Sequence, residues 1–374
     1  MNMRPPDEER PMIHLRNSGI QTNMRGVFVR EGVFLSLFCL VLSPLLMAQE
    51  DRPAPPDGNE QFVHVRFVDD NGNSVRNLHL DEITATTQDG QPLEVTRVIP
   101  PNVPYDVGLV MDVSPSTEED VDPIRQATSD FVSYFPLESK MLVLTFANEV
   151  FVDCDWTTDR KKVDEAIWEY GLHKAGSKTI LRDAVVAAAQ QMFFSHRPRT
   201  VMVLFTDGAD TGSDVYDEDD TIEFLQGAGV LTYVIEYFSL KFYQRLYAPN
   251  STRNPSDPRR LPAPGGGGVP GLGGIMVGGS DRDIADIETR ARYDHAVGFM
   301  RKVGDAGGGG MFNLESLDRM HEAYEEIASE LLDSYTIGFR PAARATKERV
   351  RKVRIRTTRD GVLARSIKPA GYGQ

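Results

Sequence analysis

Residues 107–116 read VGLVMDVSPS, an unbroken apolar run from Val107 to Met111 that ends in one acid and two hydroxyls. The runs MLVLTF (141–146), TVMVLF (200–205) and LTYVIEY (231–237) share its character. A strand that is apolar at nearly every position has no face left for water, which is the pattern of a parallel sheet covered on both sides. Between the runs the spacing becomes helical, with Ile124, Ala127, Phe131 and Phe135, then Val163, Ile167 and Tyr170, then Leu181, Ala184, Val185, Ala188 and Met192. Strand and helix in alternation predict an α/β fold, a doubly wound, mostly parallel sheet with helices on both faces.

The same pattern resumes after an interruption. Residues 247–280 are too rich in Gly and Pro to build a core and read as a surface insertion. Helices are then expected near Tyr293 to Val303 and over Ser316 to Leu332, the second with Ser316 as its N-cap, followed by a strand from Tyr335 to Phe339.

Both flanks read differently. Residues 61–99 alternate, with Val63, Val65 and Phe67 opposite His64 and Arg66, and carry turn signals at Asp70-Asn71-Gly72 and Asp89-Gly90. Residues 340–372 alternate again around Val353 and Ile355, with a turn at Asp360-Gly361. From Arg340 onward the chain holds 11 Lys and Arg against Glu348 and Asp360, so this β segment has a basic outer face. Such a face keeps an exposed edge from aggregating, and it also suits an acidic partner or the molecule's own acidic surface. Two strands alone are marginal in water, so the flanks are expected to join in one small antiparallel β module around the central domain.

Residues 1–48 read as a signal peptide. Val33 to Leu46 is an apolar run of 14 behind Arg25 and Arg30, with Leu46-Met47-Ala48 as the cleavage site and Met24 as an alternative start. The run is shorter than the ~20 residues of a membrane span. Residues 49–60 form a Pro-rich linker. Without residues 1–48 the chain keeps 51 acids against 36 bases, a formal −15, which argues against nucleic-acid binding. Cys154 is then the lone cysteine, so no internal disulfide is possible, and the flanking Asp153 and Asp155 disfavour its thiolate.

The chemistry gathers at strand ends. Asp112, Ser114 and Ser116 follow the first buried strand, where open α/β sheets bind ligands. Thr206-Asp207-Gly208-Ala209-Asp210 follows another, and Thr179 in Gly176-Ser177-Lys178-Thr179 precedes a helix. Two carboxylates with hydroxyls suit a hard cation, Mg²⁺ first, with Mn²⁺ or Ca²⁺ as alternatives. Taken singly, each piece also reads as a helix cap or an ordinary turn. Asp183 reads as a brace for this loop or as a capping charge, and the acidic run 214–220 as a solvated helix N-terminus.

These residues resemble the von Willebrand factor type A (VWA) domain with its metal-ion-dependent adhesion site (MIDAS), over residues 103–339. With the flanking β segments, the chain looks closer still to secreted VWA-related proteins of acidobacteria. The resemblance implies that Ser114, Ser116 and Thr179 bind a cation directly, and Asp112 and Asp207 directly or through water. It also implies that the remaining position takes an acidic group of a protein partner. Pro115 stands where Gly is frequent in the family, and Lys178 adds a positive charge beside Thr179.

The expectation is a secreted or cell-envelope protein-binding and adhesion module, not an enzyme. The alternatives are a phosphatase-like hydrolase and a VWA subunit of an ATP-driven assembly. A phosphatase built on Asp112 wants a second carboxylate where Ser114 stands, and neither GxSxG nor HExxH occurs. Oligomeric state and the identity of the ligand have no sequence signature.

Overall fold

The structure, a computed structural model, describes residues 16–17, 60–87, 89–114, 121–171, 178–193, 198–237, 281–314, 316, 319–340 and 353–366. The expected signal segment Val33 to Leu46, the expected insertion 247–280 and Ser116 lie outside them. Among the described residues no helix is long and apolar enough to cross a membrane.

In chain order the elements begin with β1 (Arg16–Asn17), β2 (Gln61–Asp69), β3 (Ile83–Thr87), β4 (Pro92–Ile99) and β5 (Asp106–Asp112). The chain continues through α1 (Val121–Ser133), β6 (Met141–Phe146), β7 (Val150–Thr157), α2 (Arg160–Glu169), α3 (Leu181–Phe193) and β8 (Thr200–Thr206). Then come α4 (Glu218–Ala228), β9 (Leu231–Glu236), α5 (Asp281–Gly307), β10 (Gly310–Asn313), α6 (Met320–Asp333), β11 (Tyr335–Arg340), β12 (Val353–Thr357) and β13 (Val362–Ser366).

Seven strands form one sheet in the order β1-β7-β6-β5-β8-β9-β10. Every pairing in it is parallel except β6 with β7. β6, β8 and β9 are buried at every residue, as their apolar runs require. On one face Leu109, Val143, Val203 and Tyr233 pack under α1, α2 and α6 through Phe131, Ile167 and Ile327. On the other, Val110, Leu144, Leu204 and Val234 meet α3, α4 and α5 through Val185, Leu225 and Met300. Two residues before this fold also join it: Arg16 and Asn17 pair with Phe151 and Val152 at the outer edge of β7, inside the stretch expected to stand apart as a signal.

The second sheet is antiparallel, in the order β12-β3-β4-β11-β2-β13, and unites the two flanks as expected. β12 ends at Thr357 and β13 begins at Val362, so at ~3.4 Å per residue the connection spans at most about 17 Å. A flat sheet would hold these opposite edges about 24 Å apart, at ~4.8 Å per strand. The sheet therefore curls towards closure, enclosing Val65, Phe67, Ile83, Ala85, Leu93, Tyr335, Ile337, Phe339 and Ile355.

Several expectations are corrected. Tyr335 to Phe339 is not a further strand of the α/β sheet; β11 lies between β4 and β2 in the antiparallel module, its apolar alternate residues facing that module's interior. The turn at Asp70-Asn71-Gly72 forms, but the strand partners of β2 are β11 and β13, and only Ser74 bridges back to Val68. β12 and β13 flank a turn with Gly361 at φ 68° yet pair with β3 and β2, on opposite edges. The hairpin expected at Asp89-Gly90 does form, with Ala85 opposite Leu93. The helix expected from Ser316 starts at Met320 with Arg319 as N-cap, and the Ser316 carbonyl accepts a turn bond from the Arg319 amide. β7 and β10 escape the sequence because one carries two acids and a cysteine among its residues and the other is only four residues long.

The basic face of the C-terminal segment is partly answered within the molecule. Arg359 binds Glu82 at 2.7 Å and the Asn77 side chain at 2.7 Å, and Arg340 binds Glu94 at 3.1 Å.

Where the two sheets meet, the amino ends of β5 and β8 abut β2 and β11. Arg199, 3% exposed, donates to the carbonyls of Val103 (2.7 Å) and Leu331 (3.3 Å) and to the Thr336 hydroxyl (3.0 Å), while its guanidinium stacks 3.8 Å from the Tyr105 ring. His64 Nδ1 shares hydrogen bonds with Tyr105 Oη (2.9 Å) and Thr336 Oγ1 (3.0 Å), and Tyr105 Oη also meets Ser334 Oγ at 2.7 Å. Burial, reinforced by the Arg199 charge, lowers the His64 pKa to about 3. The imidazole is therefore neutral, and the junction carries one positive charge dispersed over carbonyls, hydroxyls and a ring.

Candidate functional site

Asp112 closes β5, the central strand, between β6 and β8. Its side chain is wholly buried. One carboxylate oxygen accepts from the Ser114 amide at 2.8 Å and the other from the Thr206 hydroxyl at 2.8 Å, while its carbonyl accepts from Tyr170 Oη at 2.7 Å. Ser114 is 2% exposed and Asp207, one residue past β8, is 1% exposed. The Asp207 carboxylate accepts from the Ala209 amide at 2.9 Å. The turn that allows this has Gly208 at φ 76°, a conformation L side chains rarely adopt.

Thr179 is brought in by backbone zipping. Its carbonyl accepts from the amides of Thr211 and Gly212, both at 3.0 Å, and its own amide donates to Thr211 Oγ1 at 2.9 Å. The Ile180 amide donates to Ala147 O beyond β6 at 2.8 Å, fixing the same loop to the sheet. The structure thus gathers Asp112, Ser114, Thr179 and Asp207 at one sheet edge. Lys178 is exposed, its side-chain stem lying along Gly212.

Neighbouring acids have fixed structural roles. Asp210 binds Arg182 at 3.2 Å and Ser213 Oγ at 2.6 Å. Asp183 accepts from the amides of Asp214 (3.1 Å), Val215 (3.3 Å) and Tyr216 (3.0 Å), so it braces the loop ahead of α4. Asp217 caps α4 by accepting from the Asp220 amide at 2.7 Å, as the acidic run suggested. Cys154 is buried, and burial, with Asp155, Asp159 and Asp153, pushes its thiol up against the opposing charge of Lys162.

One acid escaped the sequence reading. Glu236 ends β9 within LTYVIEY, a run taken as strand core, although an acid closing a doubly buried strand is the same signal that Asp112 gives. It is wholly buried; Oε2 accepts from Asn313 Nδ2 at 2.6 Å, while Oε1 has no hydrogen-bond partner among the described residues. Burial first, then the Asp207 charge, raises Glu236 to about 8 against an opposing contribution from Arg301. The same two causes, burial and then Asp207, raise Asp112 to about 7, against the hydrogen bonds from Ser114 and Thr206.

The donor set is all oxygen, and two of its members are buried carboxylates that repel one another, so a hard cation between them fits. Among the described residues no cluster of three or more His, Cys, Asp and Glu side chains is placed to hold a metal. A cation here would accordingly rest on hydroxyls as much as on carboxylates.

The von Willebrand factor type A domain family model matches residues 106–254. The chain therefore carries a VWA domain with the α/β fold described above. A comparison with curated proteins finds no match. Similar solved structures include an aerotolerance-related membrane protein from Bacteroides fragilis, at 15% identity over 61% of this chain and 98% of that one, TM-score 0.37. A von Willebrand factor type A structure from Catenulispora acidiphila is similar at 12% identity over 76% of this chain and 51% of that one, TM-score 0.40. The conserved hypothetical protein BatB from Bacteroides thetaiotaomicron is similar at 14% identity over 60% and 98%, TM-score 0.38.

Proposed function

We propose that this chain is a divalent-cation-dependent protein-binding module, exported to the cell envelope or beyond, that engages an acidic group of a partner protein. The observation that supports it best is the burial of Asp112 and Asp207 side by side at the carboxyl edge, with Ser114 hydrogen-bonded to Asp112 and Thr179 buried in the neighbouring loop. In this reading Asp112, Ser114, Thr179 and Asp207, with Ser116 from the resemblance, hold Mg²⁺, Mn²⁺ or Ca²⁺. Bound there, the cation would supply an electrophilic position for a carboxylate.

The chain's own residues prepare that position. Thr206 and the Ser114 amide orient Asp112, and the Ala209 amide orients Asp207. The Thr179–Thr211 zipper holds the third loop against both. The formal charge of −14 repels polyanions, which favours a protein carboxylate over nucleic acid as the partner.

Thermal unfolding with Mg²⁺, Mn²⁺ or EDTA tests this. Free Mg²⁺ at a hundred times Kd is expected to stabilise the wild type by roughly 2.7 kcal/mol. Asp207→Ala should remove that gain and still fold, since it deletes a ligand together with a source of repulsion. A wild-type midpoint indifferent to all three additions would leave the VWA fold standing without the cation mechanism.

A further inference from the structure

In the parallel register of β8 and β9, Thr206 is paired with Glu236, and in that of β9 and β10, Glu236 is paired with Asn313. Met111 is paired with Phe205, which puts Asp112 level with Thr206. Side chains at one register of a parallel sheet share a face. Asp112, Thr206, Glu236 and Asn313 therefore form a continuous polar row across four strands, on the face covered by α3, α4 and α5. Hydrogen bonds link Thr206 to Asp112 and Asn313 to Glu236. The middle of the row, between Thr206 and Glu236, is where Oε1 is left without a partner.

That oxygen lies beside the turn that carries Asp207. Asn313 holds Oε2 from β10, while a Cβ on Gly208, in the turn beside Asp207, would lie 3.7 Å from Oε1. A buried carboxylate oxygen without a donor is costly, and the same edge gives Asp183 three backbone donors where it gives Glu236 one side-chain amide. An apolar side chain would fill this position at lower cost to the fold. A hard cation that keeps part of its water shell supplies the missing donor, because its bound water is a strong one. The absence of three converging acids among the described residues argues against direct ligation by Glu236.

We propose that Glu236 is a third acidic residue of the cation centre, facing the bound divalent cation through its water. This rests on the cation-binding reading given above. The test is calorimetric titration of the full chain with Mn²⁺, followed by Mg²⁺ competition, for wild type, Glu236→Gln, Glu236→Met and Asp112→Ala. Melting in EDTA establishes which variants are folded, and either Glu236 variant suffices.

The expected result is wild-type binding, none with Asp112→Ala, and affinity ~10-fold or more weaker in the folded Glu236 variant, the range of an outer-sphere partner. Wild-type affinity in a folded Glu236 variant would overturn the assignment and leave the cation centre intact. A wild type that binds neither ion would overturn both.

Discussion

The two ends of the parallel sheet bury polar groups in opposite ways. At the amino ends of β5 and β8, Arg199, Tyr105, His64, Thr336 and Ser334 are matched donor to acceptor, and the one charge is spread over carbonyls and a ring. At the carboxyl ends, Asp112, Asp207 and Glu236 concentrate like charge, and one oxygen is left without a donor. Buried polar networks stabilise only when fully satisfied. The amino end has what a joint between two sheets needs, while the carboxyl end is built at a cost that a ligand can offset. The structure thus separates matched polar residues at one end from mutually repelling acids at the other.

The sharpest way to break this contrast is Arg199→Ala. It strands the Val103 carbonyl and leaves a cavity against Tyr105, so urea unfolding should register a loss of about 3–4 kcal/mol, with or without cation. A loss below about 1 kcal/mol would mean that apolar packing alone holds the joint.

Acid separates the two ends by sign. His64 has a folded pKa of about 3 against 6.5 when unfolded, so its contribution is complete above about pH 6.5 and is lost as pH falls. The limiting slope is ~1.4 kcal/mol per pH unit, or about 2.7 kcal/mol over two units. Asp112 and Glu236 are raised to about 7 and about 8 from carboxylate values, so in EDTA their contribution is complete below about pH 4 and is lost as pH rises through 7 to 8. Melting in EDTA from pH 4 to 8 should show the acid limb flattened in His64→Gln and the alkaline limb flattened in Asp112→Asn. Unchanged limbs in both variants would refute the assignment of either arm.

Asp183 refines the comparison, because it is a satisfied carboxylate at the unsatisfied end. Asp183→Asn should cost about 1–2 kcal/mol equally in Mg²⁺ and EDTA, as one acceptor oxygen is lost to three backbone amides. Glu236→Gln should act in the opposite direction in EDTA, gaining about 1 kcal/mol by removing a repelled buried acid. A loss there would mark Glu236 as a structural residue like Asp183.

The central α/β layer was legible because its cause is local. A strand covered on both faces must be apolar throughout, and its helices must show one apolar stripe, so Val107 to Met111 and Ile124 to Phe135 declare themselves without their neighbours. Asp112, Ser114, Thr179 and Asp207 were legible for a related reason, since each sits where a periodic element stops. Glu236 carried the same signal and was absorbed into an apolar run.

What the sequence determined by itself, then, is the order of buried strands and helices and the polar residues at their ends, because period and hydropathy act within a dozen residues. Tertiary structure alone decided that β11 belongs to the second sheet, that β12 and β13 stand on its opposite edges, and that His64, Tyr105, Arg199 and Thr336 meet. Those outcomes depend on pairings between segments up to 301 residues apart, the separation of Val65 from Ser366. Which edge a strand joins, and which buried donor finds an acceptor, depends on how distant faces fit together.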